Sequence, residues 1–192
     1  LIVVPLSTLP NWIAETKRWA PGLPVMLYHG TKEERMDIRR QMAKCKEANI
    51  PVIVTTYEIV CRDRRELSGF EWTYLIVDEG HRLKNRNCRL AKELNLLVGN
   101  IPALAGGCSK LLLTGTPLQN DITELWSLLN FLLPTVFNSL DFFQSVFEFD
   151  DSGDKTGAEE RERITVNKLH RILRPFMLRR LKAQVDRLLP PN

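Results

Sequence analysis

Five short apolar runs punctuate the chain: LIVV (1–4), VMLY (25–28), VIV (52–54), YLIV (74–77) and LLL (111–113). Each is continuous rather than alternating, the pattern of strands covered on both faces of a parallel sheet. Stretches of helical spacing fall between most of them. Ser7-Thr8 with Pro10 starts one that carries Trp12 and Trp19. Thr31 starts KEERMDIRRQMAKCKEA, a polar amphipathic helix that ends before Pro51, and a further helix is predicted over 87–98. Strand–helix alternation at this spacing predicts an open α/β sheet with helices on both faces.

After the last run the character changes. Asp121-Ile-Thr-Glu124 has the form of a capping box and opens ITELWSLLNFLL, which Pro134 terminates. SLDFFQSVFEF (139–149) reads as an aromatic-rich helix, DDSGDKTG (150–157) as a loop, and the remainder as two basic amphipathic helices broken near Pro175. The predicted division is therefore a sheet-based lobe over 1–134 and a helical extension over 135–192.

Composition narrows the class. With 192 residues, 44% hydrophobic and 26% charged, the chain suits one ordinary globular domain with an appendage. No apolar run approaches the about 18 residues that a membrane helix needs. The four cysteines, Cys45, Cys61, Cys88 and Cys108, form no CxxC pair, which favours reduced thiols over staples or a zinc knuckle. Lys+Arg and Asp+Glu cancel at 17 each over residues 1–150, whereas 151–192 holds 10 against 6. A basic tail suits an acidic partner such as nucleic acid, and a solvated helix face equally. The chain opens on LIVVP with no start methionine and no signal-peptide pattern, and so reads as a fragment.

The chemistry concentrates where apolar runs end. YLIV runs straight into Asp78 and Glu79. Ligands of open parallel sheets bind beyond the carboxyl ends of the strands. There an aspartate can hold Mg²⁺, and a neighbouring glutamate can orient or deprotonate an attacking water, the Walker B arrangement. Two acids capping the next helix would give the same letters, so VDE alone leaves both readings open. The other ends are polar too. LLL leads into Thr114-Gly115-Thr116, VIV into Thr55-Thr56-Tyr57, and LIVVP into Ser7-Thr8. Hydroxyls and free N–H groups at such ends suit phosphate oxygens. Each alone is commonly a turn or a cap; together they point to one polyanion-handling edge.

The segments PLSTLPNW, TTYE, DEGH and TGTPLQN, in this order and spacing, resemble the first motor lobe of the Swi/Snf-like ATPases, superfamily-two DNA translocases. The likeness runs from Leu1 to about Pro191. MLYHGTKEER, DRRELS and CRLAKEL are most similar to the lymphoid-specific helicase branch, which remodels chromatin in support of DNA methylation. The resemblance implies a RecA-like P-loop NTPase fold truncated at its N-terminus, use of ATP and Mg²⁺, a nuclear setting, and nucleosomal double-stranded DNA and a second motor lobe as partners.

It also implies roles. Asp78 would coordinate Mg²⁺-ATP, Glu79 would activate water, and His81 would couple nucleotide state to DNA-binding elements. Thr114, Gly115 and Thr116 would relay loss of the γ-phosphate, supported by Gln119 and Asn120. Ser7, Thr8, Thr56 and Tyr57 match elements that grip one DNA strand. Arg62, Arg64 and Arg65, in CRDRR, match a region that touches a second stretch of DNA; a solvated helix end accounts for them as well. Trp12, Trp19, Trp72 and Trp126 are read as core, Phe142, Phe143, Phe147 and Phe149 as packing of the extension, and His29 and His170 receive no role.

Three departures qualify the likeness. None of the ten glycines supplies GxxxxGK[ST], and GGCSK (106–110) has no Ser or Thr after its lysine. The connection VGNIPALAGGCSK is long, and Asp121 stands where asparagine is common in the family. The chain alone is therefore expected neither to bind ATP tightly nor to hydrolyse it. A non-hydrolysing DNA- or chromatin-binding module derived from such a motor stays open as the rival, and a strand-separating helicase as a third reading.

Overall fold

The computed structural model describes residues 1–45, 51–99, 107–115, 122–145, 173–178 and 180. The chain divides into two compact units, Leu1–Gln144 and Ser145–Asn192. In the second, the described residues 173–178 contain a turn in which Phe176 N donates to Leu173 O at 2.8 Å. Among its described residues the first holds five strands, β1 (Ile2–Val4), β2 (Val25–Tyr28), β3 (Val52–Thr56), β4 (Tyr74–Val77) and β5 (Ser109–Leu112). The helices among the described residues are α1 (Leu9–Trp19), α2 (Lys32–Lys44), α3 (Tyr57–Arg62), α4 (Arg64–Leu67), α5 (Arg89–Val98), α6 (Ile122–Leu132) and α7 (Leu140–Ser145). A 3-10 turn covers Gly80–Leu83. The sheet is parallel throughout, in the order β2-β3-β1-β4-β5, as the unbroken apolar runs predict.

Why the runs are unbroken is visible in the packing. Successive residues on a strand face opposite sides of the sheet. Val3, Ile53, Leu75 and Val77 enter one apolar layer with Met42 of α2, Val60 of α3, Leu94 of α5 and Phe131 of α6. Ile2, Val4 and Val54 enter the other with Leu9 of α1, against which Trp12, Ile13 and Ile76 pack. Both faces are covered, so a polar residue in a central strand has to bond within the lobe, as Thr55 and Thr56 at the end of β3 do. β5 departs from the predicted LLL, since it begins on Ser109 and Lys110. Lys110 is accommodated because Nζ donates to Phe131 O at 2.7 Å and to Asn95 Oδ1 at 3.1 Å.

Helix α2 starts at Thr31 as predicted, through a reciprocal box in which Glu34 N donates to Thr31 Oγ1 and Thr31 N to Glu34 Oε2. Gly30 precedes it at φ 110°, where a Cβ would lie 2.2 Å from Glu34 Oε2, so the box requires glycine there. The short helices α3 and α4 carry too few residues to show a period, and the hydrophobic pattern does not announce them.

Two packing expectations are corrected. Trp72 and Trp126 are buried, but Trp19 is 73% exposed; its indole donates to Glu15 and lies beside Arg18 at the end of α1. Phe143 packs edge-on against Phe137, while Phe142, one residue away on the helix, is 71% exposed. Residues 146–150 lie outside the described residues, with Phe147 and Phe149 among them, as does the Asp121 half of the second predicted capping box.

One buried charge cluster holds the β2 side of the lobe. Asp63, between α3 and α4, accepts from Arg35 Nε at 2.6 Å, Arg35 Nη2 at 3.1 Å and Tyr28 Oη at 2.7 Å. Arg39 lies 3.4 Å from the same carboxylate. Burial pushes the Asp63 carboxyl up, but the Arg35 and Tyr28 hydrogen bonds and the two guanidinium charges outweigh it and hold it below its ordinary 3.8. A carboxyl depressed in the folded state adds stability that is complete above its unfolded value and is lost as pH falls through the folded one. Asp63→Asn is expected to lower the free energy of unfolding by about 3–5 kcal/mol near neutral pH, because it strands a buried guanidinium. Urea titrations should show that gap narrowing below about pH 4; a gap of equal size at pH 7 and pH 3 would exclude this origin.

Candidate functional site

The strand order creates a crevice. From β1 the chain leaves toward β2, and from β4 it leaves toward β5, although β1 and β4 are neighbours. Connections that diverge from adjacent parallel strands open a cleft at the strands' carboxyl ends. Register brings the tips level: Val4 lies opposite Thr56, Val3 opposite Val77, and Val77 opposite Leu112. Ser7-Thr8, Tyr57, Asp78-Glu79 and Thr114-Gly115 therefore follow strands that end along one edge.

Asp78 is held on several sides. Its amide donates to Val3 O at 3.0 Å, and its carbonyl accepts a short hydrogen bond from Tyr57 Oη. Its Oδ1 accepts from Glu79 N at 2.8 Å, and its Oδ2 accepts from Trp12 Nε1 at 2.9 Å. The side chain nevertheless stays partly exposed. Glu79 turns the chain sharply. It adopts the left-handed conformation, φ 49° and ψ 49°, alone among the described non-glycine residues. That bend aims consecutive carboxylates away from the alternation of an extended strand. Gly80 N then donates to Leu113 O at 2.7 Å, bringing the turn against the end of β5. A Cβ on Gly80 would sit 3.1 Å from Leu112 Cβ, so the approach is close. His81 Nδ1 lies 3.1 Å from Glu79 Oε2.

The remaining candidates divide by accessibility. Ser7, Thr114 and Gly115 are exposed, and Thr8 is half-buried with its hydroxyl donating to Pro5 O at 3.1 Å. Thr55 and Thr56 are buried; Thr55 Oγ1 donates to Tyr28 O, and Thr56 Oγ1 caps α3 by accepting from Ile59 N. Tyr57 is 4% exposed, and burial first of all pushes its hydroxyl well above the ordinary tyrosine range. The hydroxyls of TTYE are thus engaged inside the lobe, and Tyr57 is a strut between α3 and the acidic turn. Thr116, Gln119 and Asn120 lie outside the described residues.

An open cleft of about 840 Å³ borders the site; its lining includes Tyr57, Cys61 and Cys88, one carboxylate, Glu58, and three guanidiniums, Arg62, Arg82 and Arg89. Arg82 lies 5.0 Å from the Tyr57 ring centre. Arg62 and Arg65 are exposed, whereas Arg64 pairs with Glu93 of α5 at 2.8 Å. Arg82 and Arg89 follow the acidic turn in sequence but sit on no apolar pattern, and only the fold brings them beside Arg62. The turn is also tied to α6: Lys84 pairs with Glu124 at 2.7 Å, and Arg86 lies 5.1 Å from the Trp126 ring centre.

The residues fit a hard cation sparingly supplied by protein. Among the described residues no group of three or more His, Cys, Asp or Glu side chains could hold a metal ion. Each Asp78 carboxylate oxygen accepts one hydrogen bond and retains a further lone pair for a cation. One carboxylate with remaining ligands from water and phosphates is how Mg²⁺ is commonly bound. Among the described residues no helix is long and apolar enough to cross a membrane.

Comparison with known proteins agrees with this arrangement. A family model described as the SNF2-related domain matches residues 1–192. The chain is 50% identical to the human (Homo sapiens) lymphoid-specific helicase, over 100% of this chain and 23% of that protein. It is 45% identical to the ATP-dependent DNA helicase DDM1 of Arabidopsis thaliana, over 99% of this chain and 25% of that protein. It thus spans about a quarter of these relatives. Among solved structures, the Sulfolobus solfataricus SWI2/SNF2 ATPase core in complex with dsDNA aligns with a TM-score of 0.64 and 31% identity, over 96% of this chain and 35% of that one.

The left-handed turn yields a stability prediction. Glycine adopts this conformation without the Cβ conflict that costs other residues about 1–2 kcal/mol. Glu79→Gly is expected to keep or raise thermal stability by about 1 kcal/mol, even though the contact with His81 is lost. A loss of more than about 1 kcal/mol would show that the glutamate side chain, rather than the backbone, sets the turn.

Proposed function

The chain belongs to the SNF2-related domain family, and from that premise we propose that it is the first motor lobe of an ATP-driven, double-stranded-DNA translocase that remodels nucleosomes in the nucleus. Residues 1–134 would form the nucleotide- and DNA-handling lobe, and 135–192 an extension leading to a second lobe. The observation that carries the reading is the acidic pair: Asp78 and Glu79 stand at the switch-point crevice, partly exposed and aimed by a left-handed turn. A pure binding module has no use for two carboxylates on an edge that meets polyanions, which disfavours the non-hydrolysing alternative.

Asp78 would hold Mg²⁺, and Glu79 would orient a water and take its proton. His81, against the Glu79 carboxylate, would link that group to the 3-10 turn. ATP bound with Mg²⁺ supplies the phosphoryl group whose transfer to water drives the motor; the protein contributes mainly positioning and charge. Thr114 and Gly115, with Thr116, Gln119 and Asn120 beyond them, would respond to the γ-phosphate. Through Gly80 and Lys84 that response would reach β5 and α6.

DNA contacts would fall to Ser7, Thr8, Arg62 and Arg65, joined by Arg82 and Arg89 in the cleft. Thr56 and Tyr57 would set the shape of that surface from inside, and Arg64 would brace it through Glu93. Guanidinium contacts to phosphates carry little sequence information, which suits a motor that walks over any DNA. The bound DNA in the solved Sulfolobus core supports this direction.

Full-length polypeptide should hydrolyse ATP faster when double-stranded DNA is added, and more so with nucleosomes. Glu79→Gln should reduce turnover by about 10²–10⁴-fold, the usual worth of a general base, without weakening DNA binding. The 192-residue chain alone, whose sequence holds no GxxxxGK[ST], should show no turnover. Robust hydrolysis by Glu79→Gln protein, or by the short chain, would overturn the assignment.

A further inference from the structure

Trp12 is assigned no role by the sequence beyond filling the core, yet its indole N–H reaches 66 residues along the chain to Asp78 Oδ2. We propose that Trp12 is a positioning residue for Asp78, setting the carboxylate's orientation toward a bound divalent cation and tying that orientation to the start of α1. The inference rests on the proposed role of Asp78 in holding Mg²⁺.

The geometry argues for it in three steps. An indole N–H is a donor only, so it can serve nothing in this contact except an acceptor, and the acceptor is one chosen oxygen of the carboxylate. The second oxygen is taken by Glu79 N at 2.8 Å, within the turn itself. Two donors on different oxygens fix the rotation of the carboxylate plane, which one alone would leave free. Only the Trp12 donor comes from another element. The indole is itself held: Trp12 packs with Ile13 against Ile2, Val4, Leu9 and Val54, the layer beneath α1. A rigid aromatic on a packed helix is a better orienting group than a flexible polar side chain.

The position of Trp12 adds a consequence. Its backbone N donates to Thr8 O at 3.1 Å, so it stands one turn into α1, directly above Ser7 and Thr8. A shift of that helix start would carry the indole with it and rotate the Asp78 carboxylate. Trp12 is therefore a direct connection between two surfaces that the proposed function assigns to different ligands. Hydrogen-bond partners of metal-ligating carboxylates commonly govern affinity by about 10–100-fold when removed.

The test is a double-mutant cycle in full-length polypeptide with Trp12→Phe, Asp78→Asn and both together. Binding of a fluorescent, non-hydrolysed ATP analogue is titrated with Mg²⁺, and DNA affinity is measured without nucleotide. Trp12→Phe should raise the half-saturating Mg²⁺ concentration by about tenfold and leave DNA affinity within about twofold. In the Asp78→Asn background it should add nothing, since coupled residues are non-additive. An equal loss in both backgrounds would overturn the inference while leaving the Mg²⁺ role of Asp78 intact. If Asp78→Asn itself leaves the Mg²⁺ dependence unchanged, the underlying reading fails and the inference goes with it. Should Trp12→Phe not fold, ¹⁵N-indole spectra of Asp78→Asn protein decide: the indole resonance of Trp12 should move, and a Trp12 resonance that stays in place would overturn the inference.

Discussion

A parallel sheet sends the carboxyl end of every strand to the same edge, and that constraint governs everything else in this lobe. Four of the five strands end level along that edge because their registers are shared, Val4 with Thr56, Val3 with Val77 and Val77 with Leu112. The chain's reversal of direction between β1 and β4 then opens the crevice that a straight succession of strands would close. Whatever residues follow the strands are gathered there without any need for proximity in sequence. The acidic pair acquires its neighbours in this way.

Hydrogen bonds convert that gathering into a fixed arrangement. Trp12 reaches Asp78 from α1, Tyr57 reaches the Asp78 carbonyl from α3, and Gly80 reaches Leu113 at the end of β5. Each joins a different strand tip to the turn after β4. Lys84 and Arg86 continue the connection outward to α6. A displacement at one tip thus has several short routes to the others. In the motor proposed above, such routes would couple nucleotide to DNA.

Much of this was legible in the chain itself, for definite reasons. Buried parallel strands must be apolar on both faces, so LIVV, VMLY, VIV and YLIV announced β1 to β4 directly. Thr31 and Glu34 announced the start of α2, because a reciprocal cap depends only on local spacing. The acids after YLIV could be read as a candidate site because their position after a strand has a fixed spatial meaning. What escaped was non-local or too short to repeat. The cluster of Arg35, Arg39, Tyr28 and Asp63 joins residues far apart, and its three charged members look like surface residues in sequence. Trp12 and Trp19 share a helix and an apolar neighbourhood, yet one is bonded to Asp78 and the other lies in solvent. Thr56 and Tyr57 kept the hydroxyls that suggested phosphate, but their burial turns those groups inward.

The claim on which the rest hangs is that the tips of β1, β3, β4 and β5 surround one divalent-cation position at Asp78. Replacing Mg²⁺ by Fe²⁺ in the nucleotide-bound, full-length polypeptide and adding ascorbate and peroxide cuts the backbone wherever it lies beside the metal. Cleavage should map to the four segments around Ser7, Tyr57, Asp78 and Thr114, and should vanish together in Asp78→Asn protein. Cuts confined to one segment, or a pattern indifferent to Asp78, would contradict a shared site.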